Sequence, residues 1–521
     1  MRKPILLASL LVILALPALA EKVIVLGFDG VDARYTERWM NEGKLPNLAR
    51  LRATGTFRPL RPTVPAQTPV SWSTFTTGID PGRTGIFDFL RRDPKTYLPV
   101  FAAFDETKEP FLLGTRNAAA AALVFLVIVG AIGALLLRRH RIAGFIVILI
   151  AALGAGGAYA LTQKYIPATK PGVINRRQGI PFWEAAASAG KKTTVVHVPV
   201  TFPATDFHDG YLLSGLGVPD MSGRVGKPFF FTSELDFHRS GSNEFSIDVV
   251  QLEDNKGVIE TTIQGPPNKL FKEPPYISIP MKITVAQDRN SIVIEESGQR
   301  VTLRAGEWSD WTEFVFPFNP IIKLKGISRF HLMSVQPEVK LYLSPINFDP
   351  RSLPPGFRIS TPSNWAPQLA KNYGLYKTLG WQIDTWAISE GFADEQMFWD
   401  DMNFTVAQNR KMFNGFIGSD KELIVQCFEF PDRVGHVFWR LMDPQHPAYD
   451  PALAAKWGDA LLRAYQLMDS IVGDAMKVAD ANHASLIVLS DHGFASFRKS
   501  VNYNTWLVMN GYMTLKSGVQ V

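Results

Sequence analysis

The stretch "EKVIVLGFDGVD", Glu21 to Asp32, decides how the rest of the chain is read. Its apolar, β-branched run has the character of a strand buried on both faces, as in parallel α/β sheets. It stops at Asp29-Gly30, and in such sheets the chemistry sits at the carboxyl ends of the strands. A helical pattern follows in "LPNLARLRATG", and "KKTTVVHVPVTFP" and "GYLLSGLG" read as further strands. Near the far end "KELIVQCFEF", a long helical pattern from Pro451 to Ala479, and "ASLIVLSDHGF" repeat the alternation. This order predicts a doubly wound α/β core.

Two segments interrupt that core. Ala118 to Leu137 and Ile142 to Leu161 are each 20 residues without a charge, long enough to cross a hydrocarbon layer of ~30 Å. Between them lies "RRHR", Arg138 to Arg141, which the positive-inside rule keeps in the cytoplasm, so both flanks return to the opposite side. A buried soluble hairpin is the competing reading, and the uniform apolarity of both segments counts against it. "GAGGA" in the second segment suits close helix contact in a membrane. From about Lys227 to Asn347 the texture changes to period-two alternation, as in "ISIPMKITV", "SIVIEE" and "RVTLR", which predicts a β-rich insertion.

The opening "MRKPILLASLLVILALPALA" has a basic start, an apolar centre and small residues at Ala18 and Ala20. It reads as a secretory signal at 1–20, with an uncleaved anchor as the alternative, and either exports the chain. The expected organisation is core at 21–105, 174–226 and 348–521, a transmembrane hairpin insertion at 106–173 with spans 118–137 and 142–161, and the β-rich insertion at 227–347. A chain of 521 residues suits two or three domains, and 46% hydrophobic content suffices for a large core. The net charge of +6 includes the short basic run beside the apolar spans, and no basic stripe interleaved with aromatics appears, so no nucleic-acid partner is expected. The single cysteine, Cys427, excludes an intramolecular disulfide framework and reads as a buried strand residue.

Three loops at strand ends carry candidate chemistry: "FDG" with Asp29, "PDRVGH" with Asp432 and His436, and "SDHG" with Asp491 and His492. Together they offer the nitrogen and oxygen ligands that zinc takes, and carboxylate-rich sites also admit manganese. Singly each has a plainer reading. Asp29 can cap the next helix, and Asp432 with His436, four apart, can be a solvated pair on a helix face. Adjacent Asp491 and His492 give two ligands in one tight turn.

"PAQTPVSWSTFTTG", Pro65 to Gly78, adds a helix opening on Thr68-Pro69 and stopping at Gly78, which makes Thr68 the expected N-cap. Its hydroxyl either caps the backbone or faces outward at the positive helix end, where N–H groups can hold a phosphate. His197 reads as a core histidine, while His208, His446 and His483 lack a second ligand at useful spacing.

Taken in order, "FDG", "TPVSWSTFTTGIDPGRTGIFDF", "PDRVGH" and "SDHG" resemble the type I phosphodiesterase/nucleotide pyrophosphatase family of the alkaline phosphatase superfamily. "GIPFWEAAASAG", "VPVTFPA" and "SGLGVPD" resemble its bacterial members, and the likeness covers about Lys22 to Asp105, Arg177 to Thr232 and Phe348 to Leu515. The resemblance implies an alkaline-phosphatase-like core and two divalent metals, zinc or alternatively manganese. Thr68 would be nucleophile and ligand, Asp29, Asp491 and His492 would hold the same metal, and Asp432 and His436 would hold a second.

Two positions depart from the family pattern. The second metal usually takes another histidine downstream of "SDHG", and no histidine follows His492 here, so either the chain stops before its last segment or the second site is incomplete. Phe89 stands where nucleotide-cleaving relatives have a phosphate-binding asparagine, leaving Arg91 or Arg92 as substitutes or as plain surface charges. The function expected is an exported, membrane-anchored hydrolase of phosphoric ester or anhydride bonds, with the catalytic part on the periplasmic or extracellular side and lipid-linked substrates among the candidates. The alternatives are a phosphoryl or phosphoethanolamine transferase acting on a membrane-linked acceptor, and an inactive membrane scaffold derived from such an enzyme.

Overall fold

Strand β1 (Val23–Phe28) alternates its side chains between two apolar clusters, which explains why its sequence shows no polar face. Ile24, Leu26 and Phe28 join the larger cluster, whereas Val25 joins the other with Trp72 and Trp183. The strand is one of six in a sheet seen in a computed structural model that describes residues 22–235, 247–268 and 274–516. The expected signal at 1–20 lies outside the described residues.

The other strands are β2 (Thr193–Val196), β3 (Gly210–Leu213), β4 (Ser360–Thr361), β5 (Leu423–Phe428) and β6 (Ser485–Leu489), in the order β4-β3-β2-β5-β1-β6. Pairing is parallel throughout except at edge strand β4. Val25 of β1 sits opposite Val425 of β5 and Ile487 of β6. Helix α1 (Thr68–Thr77) covers one face, and α4 (Phe430–Met442) and α5 (Ala460–Asn482) cover the other. The sheet is mixed α/β with helices on both sides, and Cys427 is buried in β5.

Two boundaries differ from the sequence expectation. β2 ends at Val196 instead of running through "HVPVTFP", because His197 (φ 57°) and Val200 (φ 59°) take left-handed backbones that no strand accommodates. The helical pattern from Pro451 divides into Pro451–Trp457 and α5 around Gly458 and Asp459.

Helices α2 (Asn117–Leu137) and α3 (Arg141–Tyr165) form an antiparallel pair. Gly133 faces Ile148, Gly144 faces Leu137 and Gly154 faces Phe125, so the glycines permit close approach of the two helices. Both are long and apolar enough to cross a membrane, and side chains such as Leu123, Ile128, Phe145 and Leu153 are exposed. The pair stands on a two-stranded ribbon, Phe104–Pro110 with Thr169–Asn175. The Asn117 amide donates to the carbonyls of Phe111 and Pro167, and that of Asn319 donates to the Tyr165 carbonyl at 2.6 Å.

Between Phe229 and Phe348 the chain forms antiparallel-rich sheets around a separate apolar cluster that includes Phe231, Ile283, Phe314 and Leu341. Strands Val258–Pro267, Tyr276–Val285, Ser291–Glu296 and Gln299–Arg304 make a meander with the alternation read from the sequence.

Candidate active site

Asp29 follows β1, Glu429 follows β5, and Asp491 and His492 follow β6, so three neighbouring parallel strands deliver these groups to one sheet edge. Asp432 lies one turn into α4, which starts directly after β5. The loops are tied together: Ser490 Oγ accepts from the Val31 N–H at 2.9 Å and donates to the His492 carbonyl at 2.8 Å. Gly30 has φ 70°, and a β-carbon there would sit 2.7 Å from the Asp432 Cα, so glycine allows the Asp29 turn and α4 to approach.

Thr68 opens α1 facing this edge. Its Oγ1 donates to Asp29 Oδ1 at 3.1 Å and lies 3.2 Å from His492 Nε2. It is not the N-cap that the sequence suggested. Gln67 holds that position in extended backbone, and the Gln67 carbonyl accepts from the N–H groups of Val70 and Ser71. The Thr68 hydroxyl is therefore free of the backbone and directed at the acidic cluster.

Asp29, Asp432 and His492 offer ligand atoms within 4.8 Å of one another. His492 Nε2 is 3.4 Å from both Asp29 Oδ1 and Asp491 Oδ2, and Asp491 Oδ1 accepts from the Gly30 N–H at 3.3 Å. His436 Nε2 lies 3.6 Å from Asp432 Oδ2 on the same helix, with its side chain 58% exposed. Asp432 is buried, so the pair is not the solvated helix-face pair that its spacing allows. Asp432 Oδ1 and Asp491 Oδ2 are buried without hydrogen-bond partners. Buried oxygens of this kind are costly unless a cation or proton meets them, and with an imidazole nitrogen they form a donor set suited to zinc or manganese.

The electrostatics record the crowding. Burial and the Asp29 charge push the Asp432 and Asp491 carboxyls above the usual carboxylate range. Burial lowers the His492 imidazole, but its hydrogen bond to Asp29 and the charges of Asp491, Asp29 and Asp432 outweigh this and raise it to about 10. Arg433 offsets part of the negative charge. It pairs with Glu429 at 3.1 Å and Asp432 at 3.4 Å, and its guanidinium lies 3.6 Å from the Trp381 ring centroid.

Sequence reading passed over two supports that helical spacing could have flagged. Trp72, four residues after Thr68 and therefore on its side of α1, donates from Nε1 to Asp29 Oδ2 at 3.0 Å. Glu429 and Arg433, also four apart, brace the start of α4. His197 is a buried core histidine with Nε2 3.1 Å from the Gln382 amide nitrogen. Phe89 packs edge-on to Trp381, Arg91 pairs with Asp105, and Arg92 lies over Tyr97, so both arginines already have partners.

The sheet is of the open, parallel-centred α/β class, and a threonine, three aspartates and two histidines lie at its carboxyl edge, where such sheets carry their ligand sites. The model of the type I phosphodiesterase/nucleotide pyrophosphatase family matches residues 23–258 and 350–521, and the chain belongs to this family. The unmatched interval, 259–349, takes in most of the sheet-rich 227–347 region. No curated protein and no solved structure is found to match the chain. The family is one of phosphodiesterase and pyrophosphatase-type hydrolases and is typically metal-dependent, and a group able to hold a metal is present here.

Proposed function

We propose that this protein is an exported, membrane-tethered, metal-dependent hydrolase of phosphoric ester or anhydride bonds with Thr68 as its nucleophile. The observation that carries the reading is the position of Thr68 Oγ1, within hydrogen-bond reach of both Asp29 and His492. A threonine serving only as a helix cap would turn its hydroxyl to the backbone.

Asp29, Asp491, His492 and Thr68 are proposed to hold one divalent ion, zinc or alternatively manganese, and Asp432 and His436 a second. When bound, such ions neutralise phosphoryl oxygens and lower the pKa of a coordinated hydroxyl. Trp72 holds Asp29 Oδ2, which leaves Oδ1 directed at the threonine hydroxyl and at His492. Thr68 Oγ1 gives up its proton to solvent and forms a bond to phosphorus as the leaving oxygen departs with the electron pair of the broken P–O bond. The resulting phosphothreonine is released by water, which supplies the hydroxyl of the product and returns a proton to Thr68.

Arg433, held by Glu429 and Asp432, keeps positive charge beside the cluster without competing for Thr68. The uncovered faces of α2 and α3 support the tether. The test is metal removal. Chelation should abolish hydrolysis of a chromogenic phosphodiester, and zinc or manganese should restore it. Unchanged turnover after exhaustive chelation would reject the reading.

A further inference from the structure

A cavity of about 470 Å³ lies where three parts of the chain meet: the ribbon under α2 and α3, the α/β core, and the sheet-rich region. Phe104 and Val173 come from the ribbon, Phe202, Met221 and Phe357 from core loops, and Leu324 from the sheet-rich region. Most of its wall is hydrocarbon, and its volume falls in the range of small-molecule pockets. None of the proposed catalytic or metal-holding residues lines it.

Its place relative to α2 and α3 indicates the occupant. Phe111 and Pro167 line the cavity and lie within a few residues of Asn117 and Tyr165, where these helices begin and end. Asn117 holds the carbonyls of both lining residues, so this part of the wall is fixed to the helix ends. Beside it Leu112, Leu113 and Ile321 are 72%, 63% and 65% exposed, an apolar fringe at the level where α2 and α3 would meet headgroups. The charged lining is Lys170, Lys323 and Arg358 with Glu106, Glu109 and Asp220. Lys170 pairs with Glu109 at 3.3 Å and Arg358 with Asp206 at 3.5 Å, which leaves Lys323 as the cation offered to an anionic head.

We infer that the cavity binds one hydrocarbon chain of a membrane phospholipid, with the lipid phosphate near Lys323. The inference rests on the membrane reading of α2 and α3. Moving a chain from bilayer to cavity exchanges one apolar environment for another, so the polar head and the shape of the wall supply the preference. A free fatty acid shares the same chain chemistry, and the test separates the two sources.

The full chain is reconstituted in phosphatidylcholine/phosphatidylglycerol vesicles containing a phosphatidylglycerol with a diazirine in its acyl chain. After irradiation, cross-links are mapped by mass spectrometry. Cross-links are expected on α2 and α3 and also on the cavity wall, at Phe104, Val173 or Leu324. Val173→Trp should cut the wall cross-links at least fivefold and leave those on the helices unchanged. Leu324→Trp serves in its place if thermal unfolding shows that Val173→Trp does not fold.

Cross-links confined to the helices would overturn the cavity assignment while leaving the membrane reading intact. Failure to enter vesicles would overturn both. Wall labelling obtained with the free diazirine fatty acid but not with the phospholipid would overturn the phospholipid as its source.

Discussion

Trp72 Nε1 donates to Asp29 Oδ2 at 3.0 Å, which fixes the carboxylate that receives the Thr68 hydroxyl on its other oxygen. The indole reaches Asp29 by lying against β1 at Gly27, where a β-carbon would come 2.2 Å from the ring. One helix thus carries the proposed nucleophile and, four residues later, the group that orients its acidic partner.

Trp72→Phe should keep most of the packing and lose that hydrogen bond. Metal affinity is expected to fall roughly 10- to 100-fold, the usual effect of removing a partner that orients a metal ligand. The fold should lose about 1–3 kcal/mol for the buried oxygen left without a donor. Zinc titration followed by calorimetry checks both, and unchanged affinity would remove Trp72 from the site.

The metal-free protein should lose stability as pH rises. Asp432, Asp491 and His492 all have folded pKa values above their ordinary ones, so the folded state holds more protons than the unfolded chain. Their contribution is complete below the unfolded values, about 4 for the carboxyls and about 6.5 for the imidazole, and is lost as pH passes the folded ones. For His492 the window runs from about 6.5 to about 10, with a slope of up to about 1.4 kcal/mol per pH unit. Melting temperatures in chelator should fall from pH 6 to pH 9, and zinc should flatten the profile by taking the place of the protons. A metal-free melting temperature that rises over this interval would contradict the assignment.

Topology follows from parity. Asp29 and Thr68 precede α2 and α3, whereas Asp432, His436, Asp491 and His492 follow them, so one site requires an even number of crossings. Reporter fusions should place positions 105 and 175 outside and position 140 in the cytoplasm, as the arginines of "RRHR" direct. Fusions that put 105 and 175 on opposite sides would be incompatible with one site formed on a membrane-spanning chain.

The core strands were legible because burial on both faces leaves a simple mark, the apolar run of β1 and β5. Strand order was not, since parallel pairing joins residues such as Val25 and Val425 that are remote in sequence. The end of β2 was hidden because tertiary packing imposes the left-handed backbones of His197 and Val200. The site loops were legible as polar turns after strands, and their likeness to a family supplied the roles. The burial of Asp432 was not legible, because an Asp and a His four apart look the same on a solvated helix as on one packed against a neighbouring strand loop. The N-cap position was expected one residue late, at Thr68, because the proline after it is equally compatible with Gln67 in that position.

The most direct measurement is the initial rate of hydrolysis of a chromogenic phosphodiester by Thr68→Ala, with Thr68→Ser and the wild type alongside and thermal unfolding as the control for folding. The hydroxyl makes no capping bond but donates to buried Asp29 Oδ1, so the alanine variant should fold and lose at most about 1–3 kcal/mol, His492 staying 3.4 Å from that oxygen. Its rate should fall roughly a thousandfold or more, as expected when a nucleophile is deleted, and the serine variant should retain part of the activity. A folded alanine variant that turns over at the wild-type rate would contradict Thr68 as the nucleophile.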